Sequence, residues 1–469
     1  MKSNILLIAS LLAALVGMTA MQSKEKGGGL QGDIRLIVLD PGHFHASLIQ
    51  KTMLEGVSPV VHVYGPEGWD LDEHLKRVEA FNTRPDKPTH WQQIVYRGPD
   101  FLQKMLSEKA GNVVVIAGNN RRKTEYIKAA VDAGLNVLAD KPLCIDEKGF
   151  QLLQQAFESA RRNDVLIYDI MTERYEITTI LQNELVHNIT VLGALRAGTA
   201  EDPSVVSESV HNLIKEVAGA PLRRPAWFLD VTQQGEGLVD VSTHLVDLTL
   251  WGTFTKQKVN YKEDVEVINA RKWPTTISRD QFTTITGLSD YLDFLKPQVQ
   301  PDGSLAYMCN GELTFKVHGA FVKDSVVWNV AAPEGGGDTY YSKIKGSRAS
   351  ILIKQGKEQG YRPELYVEPA AEVDSAVVGD AVRRAVSGLA MVYPGLDTQE
   401  EGALLHVVIP DQYRLGHEAH FAQVAERFID YLRRGHMPDW EAPNMLAKYY
   451  ITTKALEMAK VQPPAVAAN

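Results

Sequence analysis

Between Ile34 and Ala139 the apolar residues fall in short unbroken runs rather than in alternation. Ile34, Leu36, Ile37, Val38 and Leu39 form the first run, ended by Asp40-Pro41-Gly42, and Val60 to Tyr64 form the second, stopped by Gly65-Pro66. Val113-Val114-Val115-Ile116-Ala117 gives way to Gly118-Asn119-Asn120, and Asn136-Val137-Leu138-Ala139 runs into Asp140-Lys141-Pro142. Continuous apolar runs closed by turn residues mark strands buried on both faces. His45 to Leu54 and Thr124 to Ala133 carry helix-compatible spacing, the second closed by Gly134. Strand and helix alternating at such short intervals predict an α/β fold with a doubly wound parallel sheet.

Past Met171 the periodicity changes. Leu313, Phe315 and Val317 alternate with Thr314, Lys316 and His318, as a half-buried strand requires. Short runs recur at Val326-Val327-Trp328, Ile351-Leu352-Ile353 and Leu365-Tyr366-Val367, with a Gly-rich turn at Glu334 to Asp338. Asp374 to Leu389 reads as an amphipathic helix through Val377, Val378, Ala381, Val382 and Val386. From His417, the residues Phe421, Val424, Phe428 and Leu432 keep helical spacing as far as Gly435.

The first residues carry a different signal. Lys2 precedes a stretch from Ile5 to Ala20 that is apolar apart from Ser10, Gly17 and Thr19. This is the n-region and h-region of a secretory signal peptide, too short for a membrane span. Ala20 suits the residue before a cut, whereas Met18 is larger than the position two earlier prefers. With no twin arginine, the expected route exports an unfolded chain. The organisation expected is a signal peptide over 1–23, a flexible glycine-containing lead-in over 24–32, a nucleotide-binding type of domain over 33–170 and a second domain over 171–469. The implied address is exported, periplasmic, with no stable membrane insertion after cleavage.

Composition narrows the class. The 469 residues include 49 Lys and Arg against 58 Asp and Glu, a net charge of −9, with no long basic run. Such a chain is not expected to bind nucleic acid through phosphates. Cys144 and Cys309, its 2 cysteines, make neither a disulfide framework nor a thiolate zinc site.

Ligands of parallel sheets bind at the carboxyl ends of strands, so the residues just after each run are the ones to inspect. The first turn, Asp40-Pro41-Gly42-His43-Phe44-His45, fills only the middle glycine of a G-x-G-x-x-G pattern; a plain tight turn explains Gly42 as well. Gly65 stands where an acid for ribose hydroxyls is usual, and Glu67 or Asp70 are the substitutes at hand. His43 and His45, two apart, invite comparison with metal ligands, but no third ligand is implied and no metal is expected. Asp240 and His244 are four apart and share a face if helical. That arrangement suits a histidine base with an orienting carboxylate, or equally a capping Asp with a core histidine. Asp247 is a candidate to orient Lys141 or His244, or a structural pair. Arg223-Arg224-Pro225-Ala226-Trp227 supplies groups for sugar stacking and hydroxyl binding, or a buried Trp with solvated arginines.

Three stretches together resemble the Gfo/Idh/MocA oxidoreductase family: VVVIAGNNRRKTEYIKAAVDAGLNVLADKPLCID from Val113, GEGLVDVSTHLVDLTLW from Gly235 and HEAHFAQVAERFIDYLRRGHMPDWEAPNMLAKYYITTKAL from His417. The resemblance implies an N-terminal Rossmann domain binding NAD or NADP, with NAD favoured and tight binding a candidate property. It also implies a C-terminal α/β domain with an open, mostly antiparallel sheet that carries the substrate and often joins subunits into dimers or tetramers. Lys141 matches the family lysine that holds the substrate hydroxyl beside the nicotinamide. The cofactor set implied is Gly42, His43, Phe44, His45, Gly118, Asn119, Asn120, Asp140, Lys141 and Pro142. The substrate set is Lys141, Arg174, Trp227, Asp240 and His244, with Lys141, His244 and Asp240 catalytic. His45, Gly65, Ser242 and Lys123 depart from the family pattern, which bears on cofactor affinity and on the choice between NAD and NADP.

The activity implied is hydride transfer at a hydroxyl of a sugar, glycoside or cyclitol. Export of an unfolded chain is awkward for a dehydrogenase that needs free dinucleotide. A tightly held cofactor recycled in each turnover resolves this, and makes an NAD-dependent glycosidase or lyase acting through transient oxidation the alternative. A carbohydrate-binding protein without cofactor is the third possibility.

Overall fold

The computed structural model describes residues 29–30, 32–217 and 220–461; the expected signal peptide and most of the lead-in lie outside them. Among the described residues no helix is long and apolar enough to cross a membrane. The N-terminal part alternates strand and helix: β1 (Leu36–Leu39), α1 (His45–Leu48), β2 (Val60–Gly65), α2 (Trp69–Thr83), β3 (Gln92–Arg97), α3 (Phe101–Glu108), β4 (Val113–Ile116), α4 (Lys123–Asp132), β5 (Asn136–Asp140), α5 (Glu147–Asn163) and β6 (Ile167–Ile170). Its six parallel strands lie in the order β3-β2-β1-β4-β5-β6, so the chain reverses direction across the sheet between β1 and β4. The buried runs predicted from sequence are the four central strands: β1, β4 and β5 are buried throughout, and β2 at 4 of its 6 positions.

The helix expected over His45 to Leu54 is one turn long. Lys51 and Gln50 close three-residue turns instead, and the Lys51 carbonyl is taken by Arg84 at 2.7 Å. Leu48, Ile49 and Leu54 still reach the core, so burial is satisfied without continuing the helix.

The remainder runs through α6 (Ile177–Val186), β7 (Val205–Ile214), the short strands β8 (Glu216–Val217) and β9 (Ala220–Pro221), α7 (Val231–Gln234) and α8 (Ser242–Thr253). Then follow β10 (Val265–Ile277), α9 (Arg279–Thr286), β11 (Leu305–Val317), β12 (Ala320–Ala331), β13 (Thr339–Lys345), β14 (Ala349–Gln355), β15 (Glu364–Pro369), α10 (Ser375–Leu389), β16 (Asp397–Glu401), β17 (Leu404–Val408), α11 (His417–Arg434), α12 (Glu441–Met458) and β18 (Lys460–Val461). Ten strands form one sheet in the order β16-β17-β15-β14-β13-β7-β12-β11-β10-β18, antiparallel except where β7 meets β12 and β10 meets β18. Its inner face, with Leu313, Phe315, Val317, Ile351 and Ile353, packs against Leu181 and Leu185 of α6 and Val246 and Leu250 of α8. The terminal helices reach back to the first sheet. Phe421, Val424, Phe428 and Leu432 of α11 share a core with Val38, Val63 and Val115, while Tyr449 of α12 joins the opposite face. The strand ends of the first sheet therefore open toward the second domain.

Candidate active site

The turn after β1 is built by close approach. Asp40 takes a left-handed conformation (φ 48°), its carboxylate fixed by the Tyr126 hydroxyl at 2.9 Å. The backbone N–H groups of Gly42 and His43 both donate to the Ala117 carbonyl at 3.2 Å. This brings the turn onto the end of β4, where only glycine fits at 118: a Cβ there would stand 2.2 Å from the Asp40 carbonyl oxygen.

His43 and His45 converge on Asp140, the last residue of β5. His45 Nδ1 lies 2.9 Å from Asp140 Oδ2 and His43 Nδ1 3.7 Å from the same oxygen. Burial lowers both imidazoles, His43 well below its ordinary value, so both are neutral near pH 7. Burial alone would raise Asp140; its neighbours His45, which bonds to it, Lys123 and His43 outweigh that and hold the carboxyl well below its usual range. Lys123 is itself buried, which lowers its ammonium to about 8, and donates to the Asp140 backbone carbonyl at 2.9 Å.

One residue on, Lys141 turns toward the second domain and donates to Asp240 Oδ1 at 2.7 Å. Pro142, joined to it by a cis peptide, is buried behind. Burial would raise Asp240, but Lys141 keeps its carboxyl below the ordinary value. His244, in the first turn of α8, lines the same cavity of about 690 Å³, and its buried Nδ1 has no hydrogen-bond partner among the described residues. Burial, then the nearby Lys141, push its imidazole down to about 3. It is a neutral imidazole in the cavity wall, with a hydrogen-bonding atom left unmet. Asp240 thus orients Lys141 rather than His244, because the ammonium outcompetes an imidazole for a buried carboxylate.

Several expected contacts are engaged elsewhere. Arg174 is not on the substrate: it forks onto Asp247 with two 2.7 Å bonds and onto Glu441, sealed in the interior. Asp247 belongs to that cluster and orients neither Lys141 nor His244. Trp227 is buried with its indole N–H on Asp70 Oδ2 at 3.0 Å, so it does not offer a stacking face to the cavity; Arg224 and Phe228 line it instead. The amides of Asn119 and Asn120 bind Gln233 Oε1 at 2.6 Å and the Gln234 carbonyl at 2.7 Å, joining the domains rather than facing a cofactor.

Two further groups, Glu173 and His417, line the cavity. Glu173, just past β6, pairs with His417 at the start of α11 across 3.1 Å. Burial would raise Glu173, but His417, with His244 and His420, holds it well below the carboxylate range. Position gave a signal: Glu173 follows a strand end, and His417 and His420 sit three apart on one helix face.

The crevice between β1 and β4 is where a dinucleotide lies in a sheet of this order. Gly42 leaves it clear, and Asp70 stands beside it: a Cβ on Gly42 would be 3.2 Å from Asp70 Oδ2 and 3.4 Å from the Gly118 Cα. Of the two acids at hand after β2, Asp70 is thus the one that lies against the first turn. The residues present fit a dinucleotide, although two backbone N–H groups usually offered to its phosphates are committed to Ala117.

Residues 71–168 match the family model described as "Oxidoreductase family, NAD-binding Rossmann fold", and residues 181–460 match "Putative oxidoreductase C terminal domain". A crystal structure of a "putative oxidoreductase" from Parabacteroides merdae is 51% identical, with a TM-score of 0.89, covering 92% of this chain and 99% of that one. KijD10, a 3-ketoreductase from Actinomadura kijaniata solved with NADP and TDP-benzene, has a TM-score of 0.55 at 14% identity, covering 92% and 100% of the two chains. GenD2 from gentamicin A biosynthesis, solved with NAD, has a TM-score of 0.53 at 14% identity, covering 93% and 97%. At that identity the last two share the fold with this chain. No curated protein matches the sequence. Fold and matches together define an oxidoreductase built on an NAD(P)-binding Rossmann domain. The chain belongs to the Gfo/Idh/MocA oxidoreductase family.

Proposed function

We propose that this oxidoreductase acts on a ring hydroxyl of a sugar, glycoside or cyclitol, with NAD as the favoured and tightly held cofactor. The observation that carries this is Lys141, held 2.7 Å from Asp240 in a cavity that His244 also lines. Gly42, His43, Phe44 and Asp70 are the residues that would hold the dinucleotide, and a carboxylate near the ribose favours NAD over the extra phosphate of NADP. When bound, the nicotinamide supplies the hydride acceptor. Lys141, fixed by Asp240, holds the hydroxyl and stabilises negative charge on its oxygen; His244 is placed to accept the proton. The cavity walls carry Arg224 and Trp328, suited to a polyhydroxylated ring. The names of KijD10 and GenD2, tied to a 3-ketoreductase activity and to gentamicin A biosynthesis, agree with a sugar-like substrate.

A second reading, transient oxidation followed by elimination or hydrolysis, draws support from the Glu173–His417 pair, an additional acid–base group in the same cavity. The leader supports export to the periplasm, where a retained cofactor has an evident advantage. Assembly into a dimer or tetramer remains part of the proposal.

The test is direct. Purified protein is denatured and its supernatant examined for nicotinamide by absorbance and mass, and then a panel of sugars and glycosides is assayed with cofactor-loaded protein. NADH accumulating with an oxidised sugar supports the first reading, and product release at constant NADH supports the second. Absence of bound nucleotide together with no affinity for added NAD or NADP overturns both. A fusion to a reporter active only outside the cytoplasm tests the address.

A further inference from the structure

Two histidines in one turn are not a metal site, but folding adds a third donor from 95 residues away. We propose that His43, His45 and Asp140 form a binding site for a divalent first-row metal ion, of which Zn²⁺ is the strongest candidate. This goes beyond the hydride chemistry proposed above and does not depend on it.

The geometry carries the case. Donor atoms of the three residues all lie within 4.8 Å of one another. Around an ion held at about 2.1 Å, neighbouring ligand atoms are separated by roughly 3.0–3.4 Å. Here Asp140 Oδ2 stands 2.9 Å from His45 Nδ1 and 3.7 Å from His43 Nδ1, so small side-chain rotations suffice. A hydrogen bond alone would account for His45. It does not account for His43, whose ring is brought toward the same oxygen at a distance too long for one, and whose Nδ1 receives only a 3.4 Å approach from the His45 amide. The two rings meet edge to face at 4.0 Å, each braced by Phe44, and His45 also by Phe421.

The charges around the site are Asp140 itself, the ammonium of Lys123 behind it, and Lys141 with its partner Asp240. Asp140 is anchored through its carbonyl by Lys123, a support outside the ligand set that fixes where its carboxylate can point. Lys141, the nearest ammonium on the same turn, is already offset by Asp240. Both histidines line the large cavity, so the remaining coordination positions open onto room for a water or a substrate hydroxyl or carbonyl oxygen. Two imidazoles and one carboxylate are a donor set for Zn²⁺, Co²⁺ or Fe²⁺ rather than for Mg²⁺ or Ca²⁺.

The experiment uses the full folded chain, stripped by chelator and titrated with Co²⁺ followed by visible absorption, and with Zn²⁺ by calorimetry. One equivalent per chain is expected, with a d–d spectrum reporting nitrogen and oxygen ligands. His43→Gln, His45→Gln and Asp140→Asn should each weaken binding at least tenfold, while His318→Ala, on the far surface, should not. Circular dichroism checks that each variant folds. X-ray absorption of the Zn²⁺-loaded parent protein gives a reading independent of any variant, and two imidazoles in the first coordination sphere are expected. Fewer than two imidazoles, no stoichiometric uptake, or uptake undiminished in the folded variants would overturn the site. NAD binding is measured separately by quenching of tryptophan fluorescence, so failure of the metal site and failure of the oxidoreductase proposal remain distinguishable.

Discussion

Trp227 donates its indole N–H to Asp70 Oδ2 at 3.0 Å, fastening the second domain across the crevice at the end of β1. Asp70 is largely buried there, and burial raises its carboxyl to about 6, the Trp227 bond opposing only in part.

That shift has a sign in stability. An acid whose folded value lies above its ordinary 3.8 costs nothing below pH 4; the penalty grows as pH rises to about 6 and is complete above it. The gap corresponds to at most about 3 kcal/mol. Asp70→Asn keeps an acceptor for Trp227 and removes the titration. In nucleotide-free protein its urea midpoint should match the parent near pH 4 and exceed it at pH 8. A variant less stable than the parent at pH 8 contradicts this account.

Lys141 and Asp240 should behave as a unit. Lys141→Met strands a buried carboxylate, a loss of roughly 3–5 kcal/mol when one partner of such a pair is removed. Replacing both, as in Lys141→Met with Asp240→Leu, removes the stranded charge and should recover most of that stability. Denaturant unfolding of the four proteins checks the cycle. Activity should vanish in all three variants, which separates the role in the reaction from the role in the fold.

Lys448 is fully buried between Asp169 at 2.6 Å and Asp247 at 2.7 Å, and Asp247 in turn receives Arg174. Burial would raise Asp247, but Arg174 and Lys448 hold its carboxyl well below the ordinary value. A depressed acid contributes stability that is present above its unfolded value near 4 and is lost as pH falls toward the folded one. Lys448→Met should therefore cost about 3–5 kcal/mol at pH 7. Its deficit should narrow as the pH is taken below 4, as followed by thermal melts from pH 7 to 3.

What the sequence made legible follows from what each signal measures. Unbroken runs such as Val113 to Ala117 and Val137 to Ala139 identify strands buried on both faces, because no polar position is tolerated there. Strand-end position likewise brought out Lys141, and a four-residue spacing brought out Asp240 and His244. Spacing says only which residues could share a face, however, and it paired Asp240 with His244 where the fold pairs it with Lys141. Arg174, Asp169, Asp247 and Lys448 are scattered over 280 residues and meet only through the packing of α8 and α12 on β6. Asp140 likewise joins His45 across 95 residues, which no local pattern records.

Gly42 and Gly118 face each other across the crevice, yet their substitution should have opposite consequences. A Cβ on Gly118 would meet the Asp40 carbonyl oxygen at 2.2 Å and the Gly42 nitrogen at 2.9 Å, both backbone atoms, so β1 and β4 would have to part. Gly118→Ala should lower stability by on the order of 2 kcal/mol or more. A Cβ on Gly42 would come no closer than 3.2 Å, to a single side-chain oxygen of Asp70, with no backbone atom nearer than 3.4 Å. Gly42→Ala should leave the melting temperature within a degree or two but place a methyl group in the nucleotide crevice, weakening NAD at least tenfold. Melting curves and fluorescence titration on the two variants check both halves. If Gly42→Ala binds NAD as the parent does, the dinucleotide does not pass over this turn.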